Sequence, residues 1–170
     1  MRSWILIGLS LVAAILVIAA AVFILLGPPR IWAMFGNADL GDVDFAKLAR
    51  RDSPNDALAC LPRLCAARAD VEAPVLAGSP ADVFQVVQAA VSGEPGLERV
   101  HADSGQGTLR FVQRSRLLGF PDTINVKVVP AQGGSAVLIY SRSQLGKRDM
   151  GVNRARVERW IGLIERAANR

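Results

Sequence analysis

The residues best suited to chemistry in this sequence are basic ones in its second half. Residues 108–170 contain 12 Lys or Arg and 4 Asp or Glu, whereas residues 1–107 contain 8 and 11, so the net charges are +8 and −3. Clustered cations raise the local concentration of anions, and guanidinium groups bind oxyanions through paired hydrogen bonds. The charge pattern therefore indicates a binding site for a phosphate, an anionic lipid headgroup or an acidic partner.

Two groups of residues make up this predicted anion site. Arg110 and Arg114 share parity on one predicted strand, and Arg142 on a later strand can face the same way. The segment SRSQLGKRDMGVNRARVERW places further basic residues at the start of a predicted helix, where they oppose the helix dipole. This second group consists of Lys147, Arg148, Asp149, Asn153 and Arg154. The alternative is a solvated sheet face and an ordinary helix cap whose arginines point into water.

Motifs for catalysis and for cofactor binding are lacking. His101 is the only histidine, and no nucleophile-elbow sequence accompanies it. There is no GxxxxGK loop, and GQG at 105–107 lacks the third glycine of a dinucleotide fingerprint. Asp122 and Asp149 lie in predicted turns, where Asp often makes local hydrogen bonds. We expect no catalytic residue and no cofactor, with an enzyme that uses one of these aspartates on envelope components as a weaker alternative.

Cys60 and Cys65 are the only cysteines, and they lie close together in CLPRLC. Such a pair can form a disulfide in an oxidising compartment, which favours a domain outside the cytoplasm. Two unpaired cysteines packed as small apolar groups are the alternative. A structural zinc site needs four ligands, so no metal site is expected.

The elements that must position these residues begin with an apolar segment. No charged residue lies between Trp4 and Leu26, and a helix of about 23 residues rises roughly 34 Å, enough to cross a hydrocarbon core of about 30 Å. Pro28-Pro29 should end this helix. We expect a single-pass anchor in the inner membrane and a periplasmic domain, although the flanking charges do not decide the orientation. A cleaved signal peptide is the alternative, because Ala19–Ala21 offer small residues.

The rest of the chain is predicted to form an α+β domain. We expect an anchor at 1–30, a connector at 31–72 with the possible disulfide loop, and a soluble domain at 73–170. Ser79-Pro80-Ala81-Asp82 has the residues of a helix start, and a terminal helix carries an apolar stripe that includes Val157 and Trp160. The four strand-like segments between the helices are 97–102, 108–117, 123–130 and 135–143.

Short glycine-containing turns separate these four segments, so the strands should pair antiparallel. The predicted fold is therefore an N-terminal transmembrane helix followed by a two-layer domain. One layer is an antiparallel sheet of four to five strands, and the C-terminal helix packs across it.

Several segments also resemble a known family. PNDALACLPRLCAA, SPADVF, GFPDTINVKV and YSRSQLGKRDMGVNRARVERW are similar to the family called domain of unknown function 1499, over roughly residues 53–165. Its members are often bacterial envelope or membrane-anchored proteins, so the resemblance implies a domain extent and a location and implies no reaction. The residues that match its pattern are Cys60, Cys65, Asp122, Ser141, Arg142, Ser143, Gly146, Asp149, Gly151, Asn153 and Arg154.

Together these features predict a membrane-anchored, non-enzymatic binding domain that recognises an anionic ligand or lipid headgroup. The expected partners are membrane lipid and either an anionic small molecule or a membrane protein complex. Nucleic acid is not expected, because the strands carry few aromatic residues on which bases could stack. An accessory subunit of a larger membrane complex is the alternative function.

Overall fold

The computed structural model describes residues 2–50 and 52–170. The chain forms two units, Met1–Gly36 and Asn37–Arg170. Part of the segment predicted as a connector thus belongs to the second unit, and Arg51 within it lies outside the described residues.

The first unit consists of two helices, α1 (Arg2–Leu26) and α2 (Pro28–Ala33). Among the described residues, α1 is the one helix long and apolar enough to span a membrane; its segment Trp4–Leu26 has a mean hydropathy of 3.1. Gly27 separates the helices with a φ of 74°, and Pro28 takes the first position of α2, where its missing N–H is not needed. The long helix ends before the two prolines, as predicted, and a short second helix begins at them.

The second unit is built on a mixed sheet that has seven strands in the described part of the chain. The strands are β1 (Asp56–Cys60), β2 (Val71–Glu72), β3 (Val75–Leu76), β4 (Leu97–Asp103), β5 (Thr108–Arg114), β6 (Pro121–Ala131) and β7 (Gly134–Ser143). Their order is β2-β1-β7-β6-β5-β4, and β3 also pairs with β7. Strands β4 to β7 form the predicted antiparallel meander. The α+β prediction is confirmed, with a sheet larger than the four to five strands expected.

The additional strands come from the segment expected to be a connector. Strand β1 lies antiparallel to β7, with Leu58 opposite Tyr140, and parallel to β2. The five residues DALAC show no alternation of polar and apolar side chains. Four of them are buried, since both faces of the sheet are covered at β1. Burial of β1 on both sides therefore removed the alternation that would have marked it as a strand.

Two helices cover one face of the sheet, α3 (Pro80–Val91) and α4 (Val152–Ala168). Ser79 caps α3 in a capping box with Asp82, as the sequence predicted. Val87 and Trp160 are fully buried between the helices and the sheet. The Trp160 ring meets Phe111 of β5 edge to face, with centroids 5.4 Å apart. The predicted packing of the C-terminal helix on the sheet is confirmed.

The opposite face of the sheet is covered by residues 38–48, which we call the strap. Its Phe45 and Leu48 are buried in a second apolar cluster with Leu58, Leu138 and Tyr140. A single 3₁₀ turn, Phe45–Lys47, begins at Asp44, whose carboxylate accepts from the Ala46 amide. The face predicted to be a basic binding surface is therefore partly covered by the strap.

Candidate functional site

A buried polar network joins the start of α4 to the end of the sheet, and Arg156 is at its centre. The Arg156 side chain is only 6% exposed. Its Nη2 donates to Asp122 Oδ2 (2.6 Å), its Nε to Gln113 Oε1 (2.6 Å) and its Nη1 to Ser141 Oγ (2.8 Å). Every nitrogen of the buried guanidinium therefore has an acceptor, which is the condition under which a buried charge is tolerated.

Two of the predicted site residues, Asp149 and Asn153, belong to this network. The Asp149 carboxylate accepts from the backbone amides of Gly151 (3.0 Å) and Asn153 (2.8 Å), and so satisfies free amides of the first turn of α4. The side-chain amide of Asn153 donates through Nδ2 to Ser143 Oγ and to the Asn55 carbonyl, both at 2.9 Å. Asp149 also places a negative charge at the positive end of the helix dipole. Both residues thus hold α4 on the sheet and are occupied within the protein.

The predicted basic sheet face is not an open surface, because the strap covers part of it. Arg110 forms ion pairs with Asp39 (Nε–Oδ1, 2.8 Å) and with Asp42 of the strap. Burial lowers the pKa of Arg110, but the hydrogen bonds with these two carboxylates outweigh it and raise the pKa. Arg142 donates through Nη2 to the carbonyls of Leu40 (2.9 Å) and Gly41 (3.0 Å). The two strand arginines therefore bind the chain's own strap.

Residues just beyond the strap are fixed by Arg50. Its guanidinium contacts Asp70 (2.8 Å) and donates through Nε to Asp56 (3.0 Å). Burial lowers the pKa of Arg50, but the hydrogen bonds with Asp56 and Asp70 outweigh burial, so the pKa is raised overall. The Tyr140 hydroxyl also donates to Asp56. These contacts connect residue 50 to β1 and β7.

The remaining predicted residues lie at one end of the domain, which we call the loop end: residues 115–120 between β5 and β6, and residues 144–151 between β7 and α4. Backbone pairing joins the loops, since the Gln144 amide donates to the Pro121 carbonyl (3.1 Å). Lys147 and Arg148 are exposed there. The loop end also exposes large apolar side chains, above all Leu117 (87%) and Met150 (99%).

Two adjoining cavities open at the loop end. One, of about 230 Å³, is lined by four arginines, Arg114, Arg116, Arg156 and Arg159, together with Glu94 and other residues; we call it the arginine cavity. The other, of about 300 Å³, is lined mainly by apolar side chains, among them Phe120, Leu145, Met150 and Val152; we call it the apolar cavity. Ser115 and Val152 line both, so the cavities are contiguous.

The four arginines of the arginine cavity differ in their partners. Arg156 is paired with Asp122, and Arg159 with Glu94. Nη1 of Arg114, by contrast, is buried and has no hydrogen-bond partner among the described residues. A buried donor without an acceptor costs free energy, which distinguishes Arg114 from the two paired arginines of this cavity.

Glu94 is the acid that borders the arginine cavity. Burial raises the pKa of the Glu94 carboxyl, but hydrogen bonds from Arg159, Trp160 and Gln113 outweigh burial and hold the pKa below its usual value. The Trp160 indole N–H donates to Glu94 Oε2 over 3.2 Å. Glu94 therefore stays ionised at neutral pH, and its carboxylate is bound by Arg159 and Trp160 of α4.

The structure does not bring the predicted site residues together as one site. Arg154 is exposed on α4 and pairs with Glu158 one turn further on, while Cys60 and Cys65 form a disulfide near the far end of β1. His101 lies on β4, and its Nε2 is 3.4 Å from Thr108 Oγ1. In residues 2–50 and 52–170, no three His, Cys, Asp or Glu side chains gather as a possible metal site.

Comparison with known proteins identifies a family. A family model described as Protein of unknown function (DUF1499) matches residues 49–164, about two thirds of the chain. This chain belongs to the DUF1499 family. No curated protein matches it. The DUF1499 match begins just after the strap and leaves out both α1 and α2, so the aspartates that bind Arg110 lie outside it.

Some of the residues that carry the DUF1499 resemblance lie in the buried network. Ser141, Ser143, Asp149 and Asn153 all make hydrogen bonds in it. Arg156 was not among the predicted site residues, although a signal was present. It follows Asn153 by three positions and shares the buried face of α4 with Val157 and Trp160, so helical spacing alone places it toward the sheet.

Proposed function

We propose that this DUF1499 protein is a membrane-anchored, non-enzymatic domain that binds an amphiphile with an oxyanion headgroup at its loop end. The observation that carries the proposal is the contiguity of the arginine cavity and the apolar cavity. Small-molecule sites are typically concave and mostly apolar, with a few polar groups that orient the ligand. A headgroup bound by arginines beside a cavity for an alkyl chain has this character.

The headgroup half of the proposed site depends on Arg114. Its buried Nη1 lacks an acceptor among the described residues, and an oxyanion would supply one through a charge-assisted hydrogen bond. Arg116 adds an exposed positive charge to the same cavity. Because Arg156 and Arg159 are already paired with carboxylates, the charge available for a ligand comes from Arg114 and Arg116.

The apolar half of the site favours a lipid with a phosphate headgroup over inorganic phosphate. Inorganic phosphate and a phosphate-headed lipid present the same oxygens to Arg114. Phe120, Leu145, Met150 and Val152 line the neighbouring cavity, and burying methylene groups against such side chains is favourable. The ligand with an alkyl chain should therefore bind more tightly than the free anion.

Binding, rather than catalysis, follows from what the acids of this region do. Asp122 is buried against Arg156, and Asp149 accepts from the amides of α4. A general base needs a lone pair free to take a proton from substrate. Both carboxylates are instead engaged in holding the helix, which favours a site that binds without transforming its ligand.

To test the proposal, ligands are titrated into the full chain in phosphatidylcholine nanodiscs, and binding is measured by calorimetry. Hexyl phosphate should bind, inorganic phosphate should bind more weakly, and hexanol should not bind. Arg114→Gln should weaken hexyl phosphate binding by about tenfold or more, the loss expected for a charge-assisted hydrogen bond. Arg154→Gln is the matched control, because that arginine is exposed and paired on α4. Equal affinity of the wild type and Arg114→Gln for hexyl phosphate would reject the proposal.

We also propose that α1 spans the inner membrane and that the domain faces the periplasm. The span is supported by the length and hydropathy of Trp4–Leu26, and the periplasmic side by the disulfide between Cys60 and Cys65. Thiol alkylation of acid-quenched cells tests the side: both cysteines should resist the reagent until a reductant is added. Free thiols would contradict the periplasmic side. Recovery of the chain in the washed membrane fraction tests the anchor, and a soluble chain would contradict it.

A further inference from the structure

Beyond the ligand site, we propose that the loop end docks on an anionic lipid surface, with Leu117 and Met150 inserted among the headgroups. Both side chains are almost fully exposed. Folding gains nothing from a large apolar side chain held in water, and exposed apolar groups that cluster within a polar rim mark interaction surfaces. The partner must therefore be one that accepts apolar groups.

The loop that carries Leu117 is closed by its own hydrogen bonds. The Ser115 amide donates to the Phe120 carbonyl (2.9 Å), and the Gly119 amide donates to the Ser115 carbonyl (3.0 Å). The Phe120 amide donates in turn to Ser115 Oγ (3.0 Å). Leu117 is thus presented at the tip of an ordered loop, which limits the conformational entropy lost on insertion.

Charge selects an anionic lipid surface as the partner. Arg116, Lys147 and Arg148 are exposed around the apolar tips. The acid in the same loops, Asp149, is committed to the amides of α4. Apolar side chains surrounded by cations are typical of surfaces that lie at the interface of anionic bilayers. A protein partner with an apolar surface would not require these three exposed cations.

The experiment uses nitroxide labels on the full chain in vesicles. The natural cysteines are disulfide-bonded, so Leu117→Cys and Met150→Cys can be labelled selectively. Gln132→Cys is the control, because Gln132 is exposed in the β6–β7 turn at the other end of the sheet. In phosphatidylcholine vesicles that contain phosphatidylglycerol, labels at 117 and 150 should collide with oxygen more than with a water-soluble nickel complex. The label at 132 should show the reverse.

Further variants and vesicle compositions distinguish an anionic lipid surface from a second copy of the chain as the partner. Lys147→Glu with Arg148→Glu, or vesicles of pure phosphatidylcholine, should return both tip labels toward water. Tip labels as accessible to nickel as the 132 label in the anionic vesicles would overturn the proposal, as would spin–spin broadening that reveals a second copy. Arg114→Gln should weaken hexyl phosphate binding by about tenfold or more yet leave the labels inserted. A failure of the ligand site is therefore distinguishable from a failure of docking.

Discussion

Arg156 donates to Asp122 across 2.6 Å, and both side chains are buried where α4 meets β6. The same guanidinium also bonds Gln113, Ser141 and Asn153. The end of β7 and the start of α4 therefore form an internal network, whereas Lys147 and Arg148 between them are exposed.

Replacing Arg156 with Met should destabilise the domain by about 3–5 kcal/mol, because the buried Asp122 carboxylate loses its compensating charge. Urea unfolding of the full chain in detergent, followed by near-ultraviolet circular dichroism, measures this loss. Adding Asp122→Asn to the variant should recover part of it, since the orphaned charge is removed. A loss below about 1 kcal/mol in Arg156→Met, typical of an exposed pair, would show that the ion pair is not buried in solution.

Asp149→Ala should cost about 1–2 kcal/mol, similar to the loss of a side chain that caps free amides at a helix N-terminus. The physical reason is that the Gly151 and Asn153 amides lose their acceptor. Glu158→Ala is a control on the same helix, where an exposed pair with Arg154 predicts a loss of only about 0.3–0.5 kcal/mol. The same unfolding assay compares them, and equal losses would contradict the capping role.

Arg142→Gln should lower stability by about 1.5–3 kcal/mol, because its hydrogen bonds to the Leu40 and Gly41 carbonyls are lost. Hexyl phosphate affinity should not change, since Arg142 lies under the strap and away from the arginine cavity. Calorimetry and urea unfolding on one preparation check both statements. A loss of affinity without a loss of stability would restore Arg142 to the binding site that the sequence predicted.

The pH dependence of stability should report the paired state of Glu94. Its pKa is lower in the folded chain than the ordinary 4.5, so it contributes stability above that pH and loses the contribution as the pH falls through the folded value. Glu94→Gln should therefore be destabilised at pH 7, and its difference from the wild type should shrink progressively below pH 4.5. A difference independent of pH would show that the charge of Glu94 has no role.

Removing the disulfide should cost about 2 kcal/mol, the value expected from loop-closure entropy for a short loop. Cys60→Ser with Cys65→Ser and the reduced wild type should lose similar amounts in urea unfolding. Hexyl phosphate affinity should be unaffected, because the Cys60–Cys65 loop lies outside the loop-end cavities. Loss of ligand binding on reduction would contradict the separation of these two regions.

Local signals in the sequence were enough to predict much of the fold. The uncharged run of α1, the capping box at Ser79 and Asp82, and the glycine turns between β4 and β7 each depend on residues close together in the chain. Helical spacing likewise predicted that Val157 and Trp160 are buried. Such features follow from hydrogen bonding and hydrophobic periodicity within one element, so no distant contact was needed to find them.

Contacts between distant residues decided the rest. Strand β1 has no alternating pattern because both of its faces are buried, and the strap is ordered by partners on β5, β6 and β7, from Arg110 to Arg142. The sequence determined that the second half is basic, yet only the tertiary structure decided which charges stay available. Asp39 and Asp42 neutralise an arginine about 70 residues away, whereas Arg114 is left beside a cavity. Pairing across such separations depends on how the strands and the strap pack, and local spacing carries no record of it.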